Sequence, residues 1–221
     1  MQTQLIYHSP LGNIRLTAED NALTEAAFDV PATLPQSATP FLESVCRCLD
    51  TYFNGKAPET TPLLRPAGTP FQLRIWRLAQ QIPFGCTATY GMLAQEAARE
   101  MGIPKMSAQA VGGAMKRNPI AIFIPCHRVV GANGKLGGYF GNDRRKIDLL
   151  TLEGQDMRGF RLGNTAQSLC GIAFNLPSRR PRHHTPAHRR NLRIRNRRSR
   201  RSCSNFSAVQ WHHNPDTLPL F

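Results

Sequence analysis

The chain has 221 residues, and 41% of them are hydrophobic, which suffices for a buried core and excludes a wholly disordered protein. It carries 28 Lys and Arg against 14 Asp and Glu, a formal net charge of +14, and this surplus favours a polyanionic partner such as nucleic acid. No stretch approaches the roughly 20 apolar residues of a membrane span, and the start lacks the pattern of a secretory signal. We therefore expect no membrane contact and a cytoplasmic protein (nuclear in a eukaryote).

The first 66 residues predict a small α/β domain. Three short segments alternate between apolar and polar residues, Gln4–His8, Asn13–Ala18 and Leu23–Phe28, and turn residues separate them, which is typical of a β-meander. A helix should follow and end at Asn54-Gly55. Its apolar residues recur at helical spacing: Phe41, Val45, Leu49 and Tyr52. This domain shows no catalytic cluster.

Residues 67–160 predict a second, mainly α-helical domain. Thr69-Pro70-Phe71-Gln72 combines a capping residue, a proline at the first helical position and a glutamine at the third, and the helix should end before Pro83. Another helix follows Thr89, and Gly102-Ile103-Pro104 ends it. The residues expected on its buried side are Leu93, Ala94, Ala97 and Met101.

A third helix is predicted over Ser107–Met115. Two short helices around a Gly-containing turn are consistent with a helix-turn-helix, although such pairs are also common as plain packing. Gly112 and Gly113 each cost the helix about 1 kcal/mol relative to Ala. Either close helix packing or the close approach of a ligand or nucleic-acid backbone could compensate.

The last part of the chain, residues 161–221, predicts a disordered basic tail. From Gln167 to Phe221 there are eleven Arg, no Lys and one acidic residue. Such a composition cannot form a packed core. It fits a polybasic arm that raises non-specific DNA affinity, a tail without a specific role, or an altered reading frame.

The six cysteines do not predict a metal site. They form no CxxC pair, and none has a His at zinc-ligand spacing. Cys46 and Cys48 could be a metal or redox pair, but their helical setting favours ordinary buried thiols.

The densest chemistry lies at Pro125-Cys126-His127-Arg128, after the apolar run Ile120–Ile124. In an ordinary strand, Cys126 and His127 would point to opposite faces. Pro125 can redirect the backbone so that the imidazole reaches the thiol and takes its proton. Glu153 is the candidate carboxylate that orients the imidazole. The alternative is a buried structural Cys beside an incidental His.

These residues carry a family resemblance. PCHRVV, preceded by AVGGAMKRNPIAIFI and followed by GGYFGNDRRKIDLLTLEG, resembles the active-site segment of the O6-alkylguanine-DNA alkyltransferases, or methylated-DNA–protein-cysteine methyltransferases. The resemblance runs from about Pro70 to Gly154. The earlier segment SPLGNIRLTAEDNALTEAAF also resembles the N-terminal domain of this family.

The resemblance implies DNA repair by irreversible, stoichiometric transfer of an alkyl group to Cys126. The substrate would be O6-alkylguanine in double-stranded DNA, with O4-alkylthymine as a further candidate, and the damaged base would be flipped out of the duplex. No cofactor is needed because a thioether is more stable than an O-alkyl guanine. We expect each molecule to act once, as a monomer.

The resemblance also implies roles for the catalytic residues. Cys126 would be the alkyl acceptor. His127 would act as its base through a bound water and would be oriented by Glu153. Asn118 would hold the turn that sets the geometry of Cys126 and His127, and Tyr90 would donate a proton or hydrogen bond to the departing guanine.

Further residues would contact the substrate or DNA. Tyr139 would line the pocket, and the backbone amide of Phe140 would meet O6. The Ser107–Met115 helix would bind in the minor groove. The remaining contacts implied for base or DNA are Ser107, Ala108, Gln109, Gly112, Gly113, Met115, Arg128 and Val129.

The sequence departs from the family pattern in three places. Gln109 stands where the family usually has an Arg that inserts into the base stack, so we expect weaker DNA binding or slower repair. Lys105, Lys116 or Arg117 could supply phosphate contacts instead. Phe140 replaces a small or polar residue of some relatives and should narrow the pocket. We expect no N-terminal zinc site like that of some relatives, because His8 is the only His before His127 and no Cys precedes Cys46.

Two other functions are compatible with parts of the sequence. A non-catalytic alkylated-DNA binder would flag lesions for other repair, but relatives of that kind replace the acceptor Cys, which is present here. A Cys-His hydrolase would need an oxyanion site and a peptide groove, and nothing in the sequence indicates either.

Overall fold

The computed structural model describes residues 1–31, 37–140 and 142–162, with only the backbone of Asp143. Strands β1 (Gln2–Ser9), β2 (Gly12–Glu19) and β3 (Ala22–Phe28) form an antiparallel sheet in the order β1-β2-β3. The predicted meander is confirmed, and each strand is longer than its sequence pattern indicated. Asp20 and Asn21, both at positive φ, make the tight turn from β2 to β3.

Helix α1 (Pro40–Phe53) packs on this sheet. Its N-cap is Thr39, whose side chain accepts a hydrogen bond from the Leu42 amide. Its buried residues are Leu42, Val45, Leu49 and Tyr52. Phe41, expected on the buried face, is only partly buried, since the face is centred one residue further along the chain.

Three helices build most of the second half: α2 (Pro70–Gln80), α3 (Tyr90–Glu100) and α4 (Ala108–Lys116). The predicted capping box of Thr69 and Gln72 is confirmed. In contrast, the expectation that Met101 is buried is wrong, because it is the C-cap of α3 and 42% exposed. The chain turns away there through Gly102 at φ +64°.

The remaining elements are short, except for helix α5 (Asp143–Leu152), which the sequence analysis did not identify. Strand β4 (Ala88–Thr89) pairs in parallel with β5 (Val129–Val130), and β6 (Lys135–Leu136) pairs in parallel with β7 (Arg161–Leu162). Three single-turn 3-10 helices span Cys126–Arg128, Ala132–Gly134 and Met157–Gly159. Strand β7 thus takes up the first two residues of the expected tail, 161 and 162. The rest of that tail, residues 163–221, lies outside the described residues.

One hydrophobic core joins the β-rich first part to the helical second part. It contains Leu16 and Val45 from the first part as well as Trp76 and Leu93 from the second. The edge of β3 is also hydrogen-bonded to the second part, since the Ala26 amide donates to the Pro119 carbonyl at 3.0 Å. Burial of this shared surface fixes the position of α1 relative to the segment that carries Cys126. No helix in the described part of the chain is both long and apolar enough to span a membrane.

Candidate active site

A tight turn held by Asn118 presents Cys126. The Asn118 side chain accepts a hydrogen bond from the Ile120 amide at 2.9 Å and donates to the Ile124 carbonyl at 2.9 Å. It also donates to Cys126 Sγ at 3.1 Å. The apolar run therefore forms a compact turn rather than a strand, and Cys126 opens a 3-10 helix directly after Pro125.

The side chain of Tyr139 also supports this turn, at Ile122. Ile122 lies in the left-handed region, with φ +70°, which is costly for a β-branched residue. Its amide donates to the hydroxyl oxygen of Tyr139 at 3.2 Å. The turn thus combines an unfavourable backbone conformation with a specific hydrogen bond, and such strain is concentrated at functional sites.

Cys126 lines a pocket of about 520 Å³ that opens beside α4. The pocket is formed by Tyr90, Gly112, Met115, Lys116, Cys126, Gly138, Tyr139 and Phe140. Six of these eight residues are among those implied by the family resemblance. Lys116 was considered only as a phosphate contact, and Gly138 was not singled out, because residue type alone does not reveal a pocket wall.

Behind Cys126, a buried hydrogen-bonded pair sets the state of His127. Its Nε2 lies 2.7 Å from Glu153 Oε1, and both side chains are fully buried. Burial favours the neutral carboxyl, yet the charges and hydrogen bonds of His127 and Arg128 lower the Glu153 pKa to about 2. Burial has the largest effect on His127 and lowers its pKa, although the charge and hydrogen bond of Glu153 raise it. We therefore describe an ionised Glu153 accepting a hydrogen bond from Nε2–H of a neutral imidazole.

This arrangement leaves the other ring nitrogen of His127 as a hydrogen-bond acceptor. Nδ1 is buried and has no hydrogen-bond partner within the described part of the chain. In the neutral ring with its proton on Nε2, Nδ1 carries the lone pair. The imidazole can then accept a proton at Nδ1 while Glu153 stabilises the resulting cation.

Burial makes the Cys126 thiol a weak acid by itself. Burial raises its pKa, whereas the hydrogen bond from Asn118 and the positive charge of Lys146 lower it. Lys146 is almost fully buried, and its Nζ donates to the Val129 carbonyl at 2.6 Å. The site therefore requires a base to form the thiolate.

Two residues implied as substrate or DNA contacts, Arg128 and Val129, have largely buried side chains. The Arg128 side chain is 12% exposed; it donates to both oxygens of Glu153 and, at 2.7 Å, to the Ile82 carbonyl. Val129 is fully buried in β5. The Arg128 donors thus hold Glu153, and a substrate or DNA contact of Arg128 and Val129 stays a prediction.

Tyr52 belongs to the cluster, although the sequence analysis placed it only in the core of the first domain. Its hydroxyl donates to Glu153 Oε1 at 2.8 Å and lies 3.2 Å from His127 Nε2. Helical spacing correctly predicted that Tyr52 is buried. Its polar role could not be predicted, because the partners are 75 and 101 residues away in the chain.

Tyr90 lines the Cys126 pocket, whereas the start of α4 lies outside it. Burial and the neighbouring Cys126 raise the pKa of Tyr90 to about 12, so its phenol remains a donor. Ser107, which caps α4, and the next residues Ala108 and Gln109 are exposed. Met115 is largely buried but lines the pocket.

Close helix packing does not explain the two glycines of α4. A Cβ atom on Gly112 would meet only the Tyr90 ring, at 3.9 Å, and one on Gly113 would meet only the Arg117 side chain, at 3.8 Å. Both are ordinary contact distances, so the neighbouring helices do not require glycine here. The other explanation from the sequence, the approach of a ligand or nucleic-acid backbone, stays a prediction.

The structure gives no support for a resident metal in the described part of the chain. Within it, no group of three His, Cys, Asp or Glu residues could hold a metal ion. Cys46 and Cys48 have free thiols, and burial raises the pKa of Cys46 to about 11. The Cys46 thiol is therefore not activated for redox or metal chemistry.

Two family models match the chain. One, described as the DNA-binding domain of 6-O-methylguanine DNA methyltransferase, matches residues 70–155, and the other, its ribonuclease-like domain, matches residues 4–64. The methylated-DNA–protein-cysteine methyltransferase of Methanosarcina acetivorans is 42% identical over 156 residues, which cover 67% of this chain and 96% of the relative. The chain belongs to this methyltransferase family. The counterpart in Mycobacterium leprae is also 42% identical, over 66% of this chain and 88% of the relative.

Solved structures of the family show the same fold. The O6-methylguanine methyltransferase of Mycobacterium tuberculosis matches with a TM-score of 0.58 and 39% identity, covering 69% of this chain and 93% of that structure. A structure of the same M. tuberculosis protein in complex with DNA matches with a TM-score of 0.56, again at 39% identity, covering 69% of this chain and 91% of the other. The family's β-rich first part and helical second part are thus shared by this chain.

Proposed function

We propose that the protein repairs alkylated DNA by transferring the alkyl group from O6-alkylguanine irreversibly to Cys126, with O4-alkylthymine as a further candidate substrate. The observation that carries this proposal is the pocket of about 520 Å³, because Cys126 lines it together with residues of α4 and it has room for a flipped base. The names of the relatives, which are methylated-DNA–protein-cysteine methyltransferases, support the same reaction.

The reaction begins when the Cys126 S–H bond breaks. The proton moves through a water molecule to Nδ1 of His127, and Glu153 stabilises the imidazolium. The thiolate attacks the carbon attached to O6 in line with the C–O bond. The S–C bond forms, the C–O6 bond breaks, and its electron pair remains on the guanine.

Tyr90 assists the departing base. Its phenol donates to the guanine as negative charge develops there, and a proton returned through His127 and solvent restores neutral guanine. The alkyl group thus ends on the Cys126 sulfur, and a proton ends on the guanine. The thioether product does not release the alkyl group, so each molecule acts once without a cofactor.

The base must leave the duplex, because the O6 carbon of a stacked guanine is not accessible to in-line attack; flipping costs a few kcal/mol. We propose that α3 and α4 form a helix-turn-helix whose second helix binds the minor groove. The exposed Ser107, Ala108 and Gln109 support this, as do the glycines that no helix contact requires. An open groove of about 930 Å³, lined partly by Arg99 and Lys105, continues the same surface.

We also propose the division of labour along the chain. Residues 67–160 form the DNA-binding alkyltransferase domain. Residues 1–66 form the small α/β domain, which packs against it through the shared core. The pocket is built within one chain, which agrees with action as a monomer.

The decisive experiment follows the alkyl group. Duplex DNA with labelled O6-methylguanine is incubated with the full-length protein, and the label is located by peptide mass spectrometry. We expect at most one label per molecule, on the Cys126 peptide. Cys126→Ala should abolish transfer but keep DNA binding, since phosphate contacts lie elsewhere. Cys48→Ala, which removes a thiol of α1, is the matched control and should transfer normally. DNA binding without label on the wild type would indicate a lesion-binding protein instead.

A further inference from the structure

Tyr52 links the first part of the chain to the proton relay. It projects from α1, is 2% exposed, and does not line the pocket that contains Cys126. Its hydroxyl nevertheless lies within hydrogen-bond distance of both Glu153 Oε1 (2.8 Å) and His127 Nε2 (3.2 Å). A residue that cannot reach the substrate is therefore in direct contact with the groups that would move the thiol proton.

The chemistry of these groups fixes who donates to whom. An ionised carboxylate such as Glu153 only accepts hydrogen bonds. Burial and the charge of Glu153 raise the pKa of Tyr52 well above its ordinary value. The phenol therefore keeps its proton and donates a hydrogen bond to Glu153. The phenol oxygen keeps its lone pairs and can accept a hydrogen bond from Nε2–H of His127. The Nε2–H group then has two acceptors, Tyr52 and Glu153.

We propose that Tyr52 is a positioning residue for the relay. It holds the His127 proton on Nε2, so that the lone pair stays on Nδ1, and it shares with Glu153 the positive charge that the ring acquires from the Cys126 thiol. This inference rests on the proposed alkyl transfer, whose rate depends on that proton movement.

The surroundings of the ring make this role specific. Tyr52 packs edge-on against Phe53, Phe84 and His127, so its hydroxyl has little freedom. Titratable and charged groups face His127 from α1, from the turn and 3-10 helix around Cys126, from the segment around Tyr139, and from α5 with its C-cap. They are Tyr52, Cys126, Arg128, Tyr139, Lys146 and Glu153. Arg128 and Lys146 both disfavour the imidazolium. The two acceptors on Nε2 oppose these cations.

The test compares two Tyr→Phe variants of the full-length protein. Tyr52→Phe keeps the ring and removes the hydroxyl. Tyr7→Phe is the matched control. The Tyr7 hydroxyl donates to Asp50 of α1 at 2.8 Å, and not to His127 or Glu153. At pH 7 we expect the single-turnover transfer rate to fall about tenfold in Tyr52→Phe, and to stay within about twofold of wild type in Tyr7→Phe.

The pH profile separates positioning from a general structural effect. As the pH rises, hydroxide ionises the thiol without help from His127, so the tenfold difference should shrink. A rate reduced by one constant factor at every pH, or not reduced at all, would overturn the inference. Thermal melting of both variants shows whether the fold is kept.

Two further measurements do not depend on the DNA reaction. Alkylation of Cys126 by iodoacetamide, followed by peptide mass spectrometry, should show the same dependence on Tyr52 and pH. Imidazole nitrogen shifts of the wild-type protein should show His127 protonated at Nε2, and protonation at Nδ1 would refute the inference. If wild type transfers no label but both measurements give the expected result, the proposed function fails while the role of Tyr52 stands.

Discussion

The side-chain amide of Asn118 donates a hydrogen bond to the sulfur of Cys126 at 3.1 Å, while its other bonds close the turn that carries this cysteine. One side chain thus couples the shape of the turn to the acidity of the nucleophile. A donor at this position stabilises the thiolate, because a hydrogen bond to the charged form of an acid lowers its pKa.

Asn118→Asp tests this coupling with almost no change in volume. An ionised carboxylate cannot donate to Cys126 Sγ or to the Ile124 carbonyl, and its charge opposes the thiolate. We expect the pKa of Cys126 to rise and single-turnover alkyl transfer to slow by about tenfold or more. Asn13→Asp is the matched control, because the Asn13 amide donates to the Val30 carbonyl and its oxygen lies 2.8 Å from His8 Nδ1, away from the turn that carries Cys126. Equal rates in the two variants would contradict this role of Asn118.

The buried pair of His127 and Glu153 predicts acid destabilisation. The folded-state pKa of each group lies below its unfolded value, so each adds stability above the unfolded pKa that is lost as the pH falls. For His127 the loss begins below the ordinary value of 6.5, and for Glu153 below 4.5, continuing towards about 2.

Urea unfolding at a series of pH values measures this effect. We expect the free energy of unfolding to fall from pH 7 to pH 4. His127→Asn should remove the part of the decline between pH 7 and pH 5, because no buried imidazole is left to be protonated on unfolding. If the variant keeps the wild-type slope in that range, the imidazole does not cause the decline.

Replacing Gln109 tests the departure from the family pattern in α4. Gln109 is exposed at the first turn of the helix, and Arg adds a charge and a longer side chain there. We expect Gln109→Arg to tighten binding to duplex DNA by about tenfold at fixed salt, and to speed repair. Gln80→Arg adds the same charge at an exposed position of α2 and should bind more weakly than Gln109→Arg. Equal affinities would show that net charge alone matters.

Phe140 predicts a limit on the size of the alkyl group. Its ring lines the pocket and packs against Phe28 and Tyr139, with centroid distances of 6.2 and 4.9 Å. Phe140→Ala should widen the pocket and raise the transfer rate of a benzyl group relative to methyl. Phe123→Ala, at a half-buried ring outside this pocket, should leave the ratio unchanged. An unchanged ratio in Phe140→Ala would show that Phe140 does not set the width.

Local sequence signals predicted the elements well where their causes are local. The capping box at Thr69 and the alternation of the three strands were confirmed, because both depend on residues within a few positions of one another. Met101 was placed wrongly, since a continuing helical period does not show where the backbone leaves the helix. Helix α5 was missed, as its charged residues hide the periodic pattern; two of them, Arg145 and Lys146, are buried and paired.

The sequence itself determined the candidate residue types and their order, Pro125-Cys126-His127 and Glu153. These side chains alone left a structural cysteine open, and the family resemblance of the surrounding segment indicated alkyl transfer. The tertiary structure decided their partners. It placed Tyr52 from α1 on the His127–Glu153 pair and turned Arg128 inward to Glu153. It also gathered the pocket walls from four separate segments. The physical reason is that hydrogen bonds and cavities arise between residues brought together by burial of a shared core, and sequence spacing carries no record of which distant side chains that burial will join.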